Sequence, residues 1–122
     1  MNSFLTIKNE SQGLFKDKGS KFLSFAFPID SVDSAMGHID IVRRKYFDAR
    51  HVCYAYMLGC NRDTYRVNDD GEPSGTAGRP ILGQINSKCL TDILIVVVRY
   101  FGGTLLGTSG LINALRDRKS VV

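Results

Sequence analysis

The spacing of apolar positions along the 122-residue chain changes several times, and each change marks an element. Lys21 to Pro28 follows a Gly19-Ser20 break and alternates Phe22, Ser24 and Ala26 against Leu23, Phe25 and Phe27, the period of a strand with one wholly apolar face. His51 to Leu58 repeats that period, with Val52, Tyr54, Tyr56 and Leu58 on one side and His51, Cys53, Ala55 and Met57 on the other. Between these strands Val32, Ala35, Met36, Ile39, Val42 and Tyr46 recur at steps of three and four, which predicts an amphipathic helix capped by Asp30-Ser31. On its opposite face Asp40 and Arg44 are spaced to pair across one turn, and Arg43-Arg44-Lys45 complements the negative end of the helix dipole.

Thr64 to Val67, after a turn at Gly59 to Asp63, reads as the hairpin partner of the preceding strand. Asp92 to Tyr100 reads as a central strand, because Ile93 to Val98 is an unbroken apolar run. A short helix is predicted from Thr76 or Ala77 to about Asn86, with Pro80 in the first turn, where its missing N–H costs nothing. A last helix runs from Gly107 to about Asp117 and presents Leu111, Ile112 and Leu115. Phe4 to Phe15 alternates weakly around Asn9-Glu10-Ser11 and fits two short strands or an extended arm.

This length fits one domain, residues 1–122, that can bury its own core. The longest apolar run is far short of the roughly 20 residues that span a bilayer, so no membrane partner is expected. Cys53, Cys60 and Cys89 are odd in number and form no paired motif, which favours a reducing, cytoplasmic setting and a role as small core residues. The net charge of +4 is spread along the chain, which permits contact with nucleic acid without demanding it.

Eight of the twelve glycines fall between Asn68 and Gly110, in a region whose two loops hold the candidate chemistry. Asp69-Asp70-Gly71-Glu72-Pro73 brings three carboxylates together, suited to a hard cation or acid and base work, or equally to a tight turn with solvated acids. Ser74-Gly75-Thr76-Ala77-Gly78 then opens a helix whose N–H groups can receive an anion or a carboxylate from the same loop. In the second loop a strand ends at Arg99-Tyr100, Gly102-Gly103 turns, and Gly107-Thr108-Ser109-Gly110 starts a helix. That order fits an anion site or glycines that permit close helix packing; it is not a Walker A loop, because Thr108 stands where Lys is needed. His51 and Cys53 share one strand face and read as core or hydrogen-bonded groups, since zinc requires more ligands than this region offers. No metal, cofactor or catalytic residue is therefore assigned.

Asp69 to Gly78 with Pro80, Ile81 and Leu82, then Val97-Val98-Arg99-Tyr100-Phe101-Gly102-Gly103 and Leu106-Gly107-Thr108, resemble the amino-terminal domain of the IMPACT/YigZ family. Asp48-Ala49-Arg50-His51-Val52-Cys53-Tyr54-Ala55-Tyr56 also matches, and the likeness covers roughly Gly13 to Ala114. The resemblance implies an α/β (α+β) fold like the second domain of ribosomal protein S5, with two helices packed on one face of a mixed sheet. It implies translational regulation, through competition for a kinase activator on the ribosome in eukaryotic relatives and through nucleic-acid or translation-factor binding in bacterial ones. Ser109 departs from the family's glycine, and the tail after Arg116 departs where bacterial relatives continue into a smaller carboxy-terminal domain, which is expected to be absent here.

The resulting expectation is a non-enzymatic domain that binds a translation-related protein or RNA through Asp69, Asp70, Glu72, Ser74, Thr76, Arg79, Arg99, Tyr100, Gly102, Gly103 and Thr108. The alternative is a small phosphate- or nucleotide-handling enzyme using the same loops. A homodimer through Leu111, Ile112 and Leu115 is a further expectation.

Overall fold

The computed structural model describes residues 5–17, 20–71, 74–75 and 77–100. Five strands and two helices follow one another: β1 (Ser11–Asp17), β2 (Ser20–Pro28), α1 (Val32–Lys45), β3 (His51–Leu58), β4 (Thr64–Asn68), α2 (Gly78–Ser87) and β5 (Ile93–Tyr100). They form one sheet in the order β1-β2-β5-β3-β4, and every neighbouring pair is antiparallel.

The apolar run of β5 explains its place in the middle. Ile93 to Arg99 are all buried, so the strand needs a cover on each face. Ala35, Ile39 and Val42 of α1 close one face over Phe25, Phe27, Tyr54, Tyr56 and Val96. Ile81 and Ile85 of α2 close the other over Phe22, Ala26, Cys53, Ala55, Met57, Ile95 and Val97.

The α+β class thus holds with two corrections. The described strands make an antiparallel sheet, not a mixed one, and the described helices take opposite faces, because both faces of β3 and β5 are apolar. The amino-terminal segment also differs: β1 starts at Ser11, inside the expected break, while Leu5 bridges to Leu90 before β5. Ser31 caps α1 by accepting the Ser34 N–H at 3.0 Å, and Asp40 pairs with Arg44 at 2.7 Å, both as the spacing predicts. Of the cysteines only Cys53 is buried; Cys60 and Cys89 are exposed because they fall in turns after β3 and α2. The predicted helix from Gly107, with its dimer face, lies outside the described residues. Among the described residues no helix is long and apolar enough to cross a membrane.

Candidate functional site

The acidic turn leaves β4 at Asn68, whose side-chain oxygen accepts the Asp70 N–H at 2.8 Å. Asp70 and Gly71 both have positive φ, +45° and +86°, a conformation that Asp tolerates and glycine adopts freely. The turn folds back on the start of β3, beyond the point where pairing with β4 ends at Tyr54↔Asn68. Val52 N–H there donates to Asp70 Oδ2 at 2.6 Å, and Cys53 Sγ donates to the Asp69 carbonyl at 3.1 Å. His51 Nδ1 lies 2.5 Å from the Asp70 carbonyl, which can only accept, so the proton sits on Nδ1. A Cβ on Gly71 would stand 3.2 Å from His51 Cε1, so glycine lets the turn close on the ring.

Asp69 performs a second task. Its Oδ1 accepts the N–H groups of Gly78 at 2.7 Å and Ala77 at 3.1 Å, and its Oδ2 accepts that of Gly75 at 3.0 Å. Ala77 has no side chain able to cap α2, so a carboxylate from upstream supplies the cap. Burial pulls the Asp69 pKa up, but the N–H groups of Gly78, Gly75 and Ala77, together with the Arg79 charge, outweigh it and hold the carboxyl below its ordinary value. The carboxylate from the same loop occupies the place an external anion would take.

The expected site residues divide into separate groups. Asp69 and Asp70 meet at the start of β3, with Arg79 and Ser74 exposed beside them. Arg99 pairs with His51 across the strands but is buried, its guanidinium 5.9 Å from the Phe22 ring on the α2 side. Tyr100, the next residue, turns to the α1 side, as strand alternation requires. Its hydroxyl donates to Asp48 Oδ1 at 3.1 Å, and its ring meets Tyr46 edge-on at 6.4 Å. Burial raises the Tyr100 pKa first, and the bond and charge of Asp48, then Tyr46, raise it further. Glu72, Thr76, Gly102, Gly103 and Thr108 lie outside the described residues. Asp48 and Lys21 were not selected from sequence; the strand register brings Lys21 to Tyr100, and the turn after α1 brings Asp48. Among the described residues no group of three His, Cys, Asp or Glu side chains could hold a metal ion.

The segments that build this turn lie within a stretch that matches a known family. A profile of the Impact N-terminal domain matches residues 18–121. The chain belongs to the IMPACT family. It is 43% identical over 99 residues to the IMPACT family member YigZ of Escherichia coli K12, covering 80% of this chain and 48% of that protein. A crystal structure of a hypothetical protein superposes with a TM-score of 0.85 at 37% identity, covering 96% of this chain and 62% of that one. The two-domain translational regulator Yih1 shares the fold, with a TM-score of 0.60 at 24% identity over 89% of this chain and 44% of that one. This IMPACT chain spans about half the length of the curated relatives it matches.

Proposed function

We propose that this IMPACT chain is a non-enzymatic, translation-associated regulatory domain that works by binding a translation-related protein or RNA. Family membership carries the reading, supported by a fold shared with a protein described as a two-domain translational regulator. The acidic turn supports binding over catalysis. Both described carboxylates accept backbone N–H groups of their own chain, which makes them holders of loop shape. The surface they hold presents Arg79 and Ser74 at the entry to α2. The phosphate-handling alternative draws no support from this loop, because the N–H groups of Gly75, Ala77 and Gly78 already face an anion.

The test is co-sedimentation of the chain with ribosomes from a translating extract. Wild type is expected in the ribosomal pellet and Arg79→Glu in the supernatant. Reversal at Arg99 is not informative, because Arg99 is buried and an anion in place of its cation would disrupt the fold itself. Equal pelleting of Arg79→Glu across a salt series would remove the Arg79 surface, and no pelleting of wild type would remove the reading. Heat on titrating millimolar nucleotide with magnesium would restore the enzymatic alternative.

A further inference from the structure

The α1 side of the same sheet end carries a cationic and aromatic surface that the acidic turn does not explain. The strand register sets Lys16 of β1 directly opposite Lys21 of β2, and Lys21 opposite Tyr100 of β5. Directly opposed residues share a sheet face, so two lysines and a tyrosine form a row across three strands, about 5 Å apart from one strand to the next. Like charges opposed in this way disfavour the fold, and an anionic partner would relieve them. Lys21 Nζ lies 4.7 Å from the Tyr100 ring centroid.

The end of α1 extends the row. Tyr46 packs against Tyr100, Lys45 Nζ lies 5.6 Å from the Tyr46 ring, and Phe47 follows with 84% of its surface exposed. Phe47 is the most exposed large apolar side chain described. Of the nearby acids, Asp40 is already paired with Arg44, and Asp48, which accepts the Tyr100 hydroxyl, offsets one of the three lysine charges and leaves the row cationic. Ammonium groups on one sheet face, with an open aromatic ring on the residue that follows Tyr46, match a chain of phosphates that carries unpaired bases. A duplex offers the phosphates but hides its base faces, and the acidic side chains of a peptide carry no ring of their own to stack.

We propose that Lys16, Lys21, Lys45, Tyr46, Phe47 and Tyr100 form a binding surface for single-stranded nucleic acid, with the lysines on phosphates and a base stacked on Phe47. This surface lies across the sheet from Arg79 and is independent of any contact made there.

Fluorescence anisotropy of the full chain with labelled oligouridylate and oligothymidylate tests it. Wild type is expected to bind one or both saturably, with a log–log salt slope of about −2 for three neutralised phosphates. The double variant Lys21→Glu/Lys45→Glu should bind at least tenfold more weakly and with a shallower slope. Phe47→Ala, at a side chain that packs on little, should keep the fold and lose about fivefold or more, the lower end of one stacked base. Preference for the uridylate probe identifies RNA as the source, and equal binding identifies single strands of either sugar. The proposal is overturned by no saturable binding at about 50 mM salt, by equal affinity for a duplex, by an acidic peptide displacing the probe at equal concentration, or by Phe47→Ala folding and binding like wild type.

Discussion

Asp70 Oδ2 accepts the N–H of Val52, eighteen positions earlier, at 2.6 Å. Val52 lies where β3 has run past the end of β4, so without this carboxylate a buried strand would lack a partner for that N–H. Asp70→Ala is expected to lower stability by about 1–3 kcal/mol, the range for a charged acceptor withdrawn from a buried donor. Asp70→Asn should lose less, since an amide oxygen can still accept and Asn tolerates the positive φ. Urea unfolding of both variants decides the point, and an unchanged midpoint for Asp70→Ala would show that solvent replaces the bond.

Gly78 starts α2 against β4 with no room for a side chain. An added Cβ would meet Val67 Cβ at 2.8 Å and the Asn68 backbone N at 2.9 Å, neither of which can swing aside. Gly78→Ala should cost about 1–3 kcal/mol through forced separation of helix and strand. Gly83, in the same helix, meets nothing within 4 Å. There the same change should stabilise by about 0.5–1 kcal/mol, through helix propensity alone. Thermal unfolding of the two variants should move in opposite directions, and shifts of the same sign would contradict the packing argument.

What the sequence made legible follows the range over which each signal acts. The periods of β2, β3 and β5 and the Ser31 cap of α1 are local, and each element is found where its residues predict it. β1 was obscured because it is an edge strand whose Ser11, Gln12 and Gly13 break the apolar alternation. The placing of α1 and α2 on opposite faces is tertiary, although the doubly buried run of β5 already demanded two covers. The opening of α2 could be read only as an alternative, anion or carboxylate, since Asp69 caps it from eight and nine positions upstream. Grouping Arg99 with Tyr100 overlooked alternation, which sends adjacent strand residues to opposite faces.

Tyr100 should titrate above the ordinary tyrosine value. Its pKa is raised by burial, then by donation to Asp48 and by the Asp48 charge, so deprotonation would both bury an anion and set it beside a carboxylate. Ultraviolet titration of Asp48→Asn should show one phenol moving to lower pH, and Tyr100→Phe should lack that transition. The neutral phenol's contribution to stability is present below its unfolded pKa of about 10 and lost as pH rises through the higher folded value. A titration of Asp48→Asn identical to wild type would show that Asp48 does not contribute to the shift and that burial alone raises it.

Asp69 links the fold to acid. Its folded pKa lies below the ordinary value, because the N–H groups of Gly78, Gly75 and Ala77, with Arg79, outweigh the opposing effect of burial. The unfolded chain therefore takes up the proton first on acidification. The stabilisation is complete above the unfolded pKa of about 3.9 and disappears as pH falls through the lower folded value. Asp69→Ala should cost about 1–2 kcal/mol near neutral pH, as other lost helix caps do, and its stability should fall less steeply than wild type below about pH 4. The variant also vacates three converging N–H groups, which formate can fill. Added sodium formate should raise its thermal midpoint more than equal sodium chloride does, in proportion to occupancy of the vacated cap, and leave wild type at the chloride value. Equal responses of both proteins to formate would mean that the loop rearranges when the carboxylate is removed, so that Asp69 holds the three N–H groups together as well as capping α2.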